Sequence, residues 1–157
     1  MSNKKLLLII PGSQAKIPSV FKKSFHKLYE RFGLEYGNDD WAMDLKKYIK
    51  SKNEIEVMVF KWSRGVTKTL ALNPAIKRLT ALLNEIHQNY EEIILFGKSF
   101  GGIIAEKTIK NINLRKFHII YVATPHKHDQ IKFPQLLTVT NIYSGDDQFQ
   151  KLALWLL

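Results

Sequence analysis

The stretch from Glu92 to Ala105 constrains this chain more than any other. Ile93-Ile94-Leu95-Phe96 is apolar and rich in β-branched residues, reads as a buried strand, and breaks at Gly97. A helix-compatible segment, Phe100 to Ile112, begins almost at once. Between the two lies Gly97-Lys98-Ser99-Phe100-Gly101, a Gly-x-Ser-x-Gly pattern. A strand-to-helix turn this sharp strains the serine backbone and crowds the residues two positions either side, so both must be small. It lifts the Ser99 hydroxyl above the sheet edge and aims a helix N-terminus at it, where developing negative charge is stabilised. Alone the pattern is weak, because three common residues match by chance; in a strand–turn–helix setting it is specific.

Gly97-Lys98-Ser99 also ends like a phosphate-binding P-loop, which needs Gly-x-x-x-x-Gly-Lys-Ser/Thr. The first glycine of that motif would fall on Glu92, and residues 93–96 read as strand rather than a glycine-rich loop. The nucleotide reading fails.

A length of 157 residues suits one domain with a real core, and 45% hydrophobic with 24% charged residues is the composition of a soluble protein. There are no cysteines, which excludes disulfide and thiolate chemistry. Leu6–Ile10 is too short for a signal or membrane segment and runs into Pro11-Gly12, so a cytoplasmic protein without a transmembrane segment is expected. The net charge of +10 raises nucleic acid or an anionic membrane as partners. The lysines are scattered rather than gathered in a tract, no nucleic-acid motif accompanies them, and no nucleic-acid partner is expected.

Along the chain, Leu6–Ile10 is apolar on both faces, as central parallel strands are, and ends at Pro11-Gly12-Ser13-Gln14. Phe21, Phe25, Leu28, Tyr29 and Phe32 fall on one face of a helix over residues 19–32, with Lys22, Lys23, Lys27 and Arg31 mostly off it. A core-packed helix with a solvated basic flank explains this more simply than a membrane-binding helix. Asn38-Asp39-Asp40 caps a helix from Trp41 to about Ser51, a role that accounts for the paired carboxylates. Ile55–Phe60 is the second strand, followed by Lys61-Trp62-Ser63-Arg64-Gly65. Asn73-Pro74 opens a helix through Asn89, its buried side formed by Ala75, Leu79, Leu82, Leu83 and Ile86. After the Gly97–Gly101 turn and its helix, Phe117–Ala123 and Leu136–Tyr143 are strands. They end in Thr124-Pro125-His126-Lys127-His128 and Ser144-Gly145-Asp146-Asp147.

Strands alternating with helices predict an α/β fold, a parallel sheet with helices on both faces. Ligands of such sheets bind outside the carboxyl ends of the strands. Those ends carry Pro11-Gly12-Ser13, Trp62-Ser63-Arg64, Lys98-Ser99, Thr124-Pro125-His126 and Asp146-Asp147, so a nucleophile and a carboxylate are expected on one rim.

From about Leu6 to Phe149 the chain resembles an α/β-hydrolase, closest to small, lid-poor serine hydrolases of lipase/esterase type. The resemblance rests on Ile10-Pro11-Gly12-Ser13, the Gly97–Gly101 elbow extended by Gly102, Thr124-Pro125-His126, and Tyr143-Ser144-Gly145-Asp146-Asp147. It implies a minimal three-layer hydrolase core, with about five strands in the order 2-1-3-4-5 and residues 1–157 forming one domain. Ser99 matches the nucleophile. The Phe100 backbone N–H matches one oxyanion donor, and Ser13, after the Pro-Gly pair, matches the position giving the second. Asp146 and Asp147 are both candidates for the triad acid. Asp147 is preferred because Asp-x-Phe at residues 147–149 matches an acid followed by an apolar anchor. The resemblance implies no cofactor and no metal, and a small ester or acyl substrate.

One departure stands out. The family's chain order is Ser, Asp, His, whereas His26, His87, His118, His126 and His128 all precede Asp147. The resemblance therefore implies a chain that stops before its last strand and helix, a unit on the order of 30 residues. Within the chain, His26 and His87 fall in helices and His118 at the wrong end of a strand. His126 and then His128 lie on the correct rim, and a base there must bring Nε2 within roughly 3 Å of the serine. The base is unassigned, with His126 the leading candidate. Three readings follow: a serine hydrolase acting by acyl transfer, a hydrolase-like binding domain without turnover, and a basic interaction module whose binding would be salt-dependent.

Overall fold

The computed structural model describes residues 4–12, 40–50, 55–62, 72–124 and 133–142. The basic helix expected over residues 19–32 lies outside them.

Five strands form one sheet: β1 (Lys5–Ile10), β2 (Glu56–Val59), β3 (Glu92–Lys98), β4 (Phe117–Val122) and β5 (Leu136–Ile142). All pairings are parallel and the order is β2-β1-β3-β4-β5, as the resemblance implied. The helices among the described residues are α1 (Asp40–Lys50), α2 (Asn73–Ile86) and α3 (Phe100–Ile109), with a 3-10 turn at His87–Asn89.

The apolar run of β1 is continuous because both its faces are covered. Leu6, Leu8 and Ile10 enter a core shared with Leu79 and Leu83 of α2 and Ile104 of α3. Leu7 and Ile9 enter a second core with Ala42 of α1 and Val57 of β2, flanked by Leu45 and Ile49. β3 divides likewise, Ile93 and Leu95 to the first core, Ile94 and Phe96 to the second. Two cores on opposite faces of one sheet make a three-layer α/β sandwich. Each fully buried aliphatic side chain contributes about 1.5–3 kcal/mol to holding these layers together.

Two helices stop earlier than their sequences predict, each where a side chain takes a last-turn carbonyl. α2 gives way to the 3-10 turn at His87, whose ring Nδ1 lies 2.8 Å from the Leu83 carbonyl oxygen. α3 ends at Ile109, where Asn111 donates its side-chain amide to the Lys107 carbonyl at 2.8 Å and its backbone N–H to Thr108 at 2.9 Å. At the far edge of the sheet, β5 is mostly exposed, Leu137, Val139 and Ile142 included. Among the described residues, no helix is long and apolar enough to cross a membrane.

Candidate functional site

β1 and β3 are neighbours whose last registered pair is Ile10 with Gly97. Parallel pairing therefore delivers Pro11-Gly12 and Ser99 to the same edge of the sheet. Ser99 joins β3 to α3 with φ 52° and ψ −127°, one of two non-glycine residues with positive φ among those described. Such a backbone costs on the order of 1–3 kcal/mol and persists only where its surroundings hold it. Two bonds hold it: the Ser99 N–H donates to the Val122 carbonyl of β4 at 2.8 Å, and the Gly102 N–H donates to the Ser99 carbonyl at 3.0 Å. Serine at a helix N-cap ordinarily bonds its hydroxyl to the first turn; Ser99 occupies that position and makes no such bond.

The turn closes only because its glycines lack side chains. A Cβ on Gly97 would overlap the Gly102 Cα, with the Gly102 nitrogen 2.6 Å away. A Cβ on Gly101 would overlap the Ile10 carbonyl oxygen and lie 2.7 Å from that of Pro11. The expectation of small residues on either side of Ser99 thus has its contacts, and they reach beyond the turn to β1. Phe100 is buried and is the first residue of α3, where a backbone N–H has no partner within the helix and carries part of the positive end of the helix dipole.

Two further contacts brace the edge. The Thr124 hydroxyl, buried after β4, donates to the Gly97 carbonyl at 3.2 Å and fills the space that a side chain on Gly102 would need. It follows Ala123, the other residue with positive φ, whose N–H donates to Ile142 at 2.8 Å. Trp62 is not an open rim residue but 6% exposed, and its indole N–H donates to the Pro11 carbonyl at 2.8 Å. Nothing local in the sequence marks these bonds, since each partner is remote in the chain. Tyr121, registered beside Gly97, is buried, which pushes its phenol well above the usual tyrosine range.

The structure thus brings together Pro11, Gly12, Gly97, Ser99, Phe100, Gly101, Gly102 and Thr124. Ser13, Asp146, Asp147, His126, His128 and His26 lie outside the described residues. His118 sits near the amino end of β4, its Nδ1 2.7 Å from the Thr138 hydroxyl and its Nε2 3.7 Å from Glu92, at the opposite end of the sheet from Ser99. His87 is at the end of α2. Among the described residues, no group of three or more His, Cys, Asp or Glu side chains converges to hold a metal ion.

With this geometry in place, comparison with known proteins adds one finding. The family model described as PGAP1-like alpha/beta domain matches residues 7–153, nearly the whole chain. No curated protein sequence matches it.

Proposed function

Since the chain belongs to the PGAP1-like alpha/beta domain family, a lipase/esterase-type group of α/β-hydrolases, we propose that it is a serine hydrolase cleaving carboxylic esters. The observation carrying this reading is the Ser99 backbone, held at φ 52° between a strand and a helix with its hydroxyl left out of the helix cap. Ordinary capping would neither need nor retain that strain.

In this reading the Ser99 Oγ attacks the ester carbonyl and a histidine base takes the hydroxyl proton. The Phe100 and Ser13 N–H groups hold the oxyanion of the tetrahedral intermediate. Collapse expels the alcohol, which takes the proton from the base, and water then cleaves the acyl-enzyme by the same route. Asp147, with Asp146 as the alternate, orients the base, and His126 is the candidate for that base within the chain. The reaction needs no metal or cofactor, and the substrate is a small ester or acyl compound met in the cytoplasm.

The test is fluorophosphonate labelling of the chain beside Ser99→Ala, read by intact mass. Labelling of the native chain, lost in the variant, is expected. A folded native chain that takes no label would sink the proposal in favour of a hydrolase-like domain that binds carbonyl ligands without turnover.

A further inference from the structure

Trp62 follows β2 and belongs to the first core, where an indole N–H must find an acceptor. The one it finds is the Pro11 carbonyl, in a buried bond that spans 51 residues of chain. That carbonyl is enclosed from a second side as well, since Gly101 approaches it too closely for a side chain. The next residue, Gly12, lies against Ser99.

Carbonyl and N–H lie in one plane and point in opposite directions across a trans peptide, and no described peptide bond is cis. A clamp on the Pro11 oxygen therefore sets the plane of the Pro11–Gly12 peptide and the direction of the Gly12 amide. We infer that Trp62 is a positioning residue for the oxyanion turn, its indole N–H holding the Pro11–Gly12 peptide in register with Ser99. The inference rests on the hydrolase reading above and assigns Trp62 no contact with reacting atoms. A donor set in advance stabilises charge that appears only in the transition state. Loosening it lowers turnover and leaves substrate binding nearly unchanged.

The experiment replaces Trp62 with 3-benzothienylalanine by site-specific incorporation, leaving Trp41 and Trp155 in place, and makes Trp62→Phe alongside. The first keeps the bicyclic shape with sulfur where the N–H was; the second loses volume as well. Each full-length protein is assayed for p-nitrophenyl acetate hydrolysis, rate of fluorophosphonate labelling, and the carbon-13 resonance of the Pro11 carbonyl. In the isosteric protein the resonance is expected to move. The labelling rate and kcat are expected to fall roughly tenfold to a hundredfold, the scale on which small misplacements cost rate, with KM steady. A moved resonance with native kcat and labelling overturns the inference and leaves Trp62 as core packing; an unmoved resonance overturns it by removing the bond. An unlabelled native chain is a separate outcome, seen before any variant is made, and removes the hydrolase reading together with the role built on it.

Discussion

A Cβ placed on Gly12 would lie 3.0 Å from the Cβ of Ser99 and 3.1 Å from the Lys98 carbonyl oxygen. The turn leaving β1 and the turn leaving β3 thus touch where their strands end, and each limits the other. Gly12→Ala should therefore leave the protein folded, at a cost of about 1–2 kcal/mol for overpacking, while slowing fluorophosphonate labelling of Ser99 tenfold or more, as an estimate for misplaced reacting groups. Urea unfolding and labelling rates measured on the same samples check both parts. A variant labelled at the native rate would show that the contact is incidental.

Gly101→Ala poses a sharper contest. In an open helix the change gains about 1 kcal/mol from propensity alone. Here the new methyl overlaps the Ile10 carbonyl oxygen, and backbone cannot swing aside as a side-chain tip can. Overpacking of this kind costs about 3 kcal/mol, so the clash wins. The urea midpoint is expected to fall clearly; a rise would refute the close approach of α3 to β1.

Thr124→Val preserves shape and removes the donor to the Gly97 carbonyl. A net loss of about 1 kcal/mol is expected, smaller than that from Gly101→Ala. Thr124→Ser, which keeps the hydroxyl, should retain most of the stability lost in the valine variant. Equal losses in the two would assign the role of Thr124 to its methyl group.

At alkaline pH the buried Tyr90 should report on the sheet. Burial first, and then its hydrogen bond to Glu56, push its phenol up to about 12 from 10.0. The fold favours the neutral phenol, so its stabilising contribution is whole below pH 10.0 and disappears as pH rises through about 12. Ultraviolet titration of tyrosinate should lose a step near pH 12 in Tyr90→Phe. A Tyr90 step at its ordinary position would contradict the assignment.

At acid pH the sign reverses. The Lys5 ammonium, 2.7 Å from Glu92 across β1 and β3, holds that carboxyl below its ordinary 4.5. Stability from the ionised carboxylate is present above pH 4.5 and lost as pH falls through the lowered value. The pair is partly exposed, so the effect on stability is small and screened by salt. NMR titration should place Glu92 below 4.5 in the native chain and higher in Lys5→Met.

The strands were legible because parallel strands buried on both faces are uninterrupted apolar runs, and Leu6–Ile10 and Ile93–Phe96 break at proline or glycine. The strained serine was legible because its flanking glycines are close in sequence. The strand order came from resemblance, since spacing alone does not say which neighbour a strand takes. The end of α3 is set by Asn111, whose side chain takes the Lys107 carbonyl in a way periodicity does not register, while the stretch begun by α2 runs on to Asn89 as a 3-10 turn. The position of Trp62 after β2 points to the rim, whereas its burial and its bond to Pro11 depend on a partner far along the chain. The candidate acid and base, Asp146, Asp147 and His126, rest on sequence alone.

The sheet order also has a consequence for synthesis. β1 is made first but lies between β2 and β3, so the ribosome must release the chain beyond Lys98 before Leu6–Ile10 has both its neighbours. Until then one of the most apolar runs in the protein keeps at least one open edge, exposed to chaperones or to a second nascent chain. The two turns that meet at Ser99 cannot approach each other before that moment. Their common surface comes into being at a single late docking event, and a ribosomal stall between Gly12 and Ser99 would leave a polypeptide with neither a closed sheet nor the beginnings of a reactive centre.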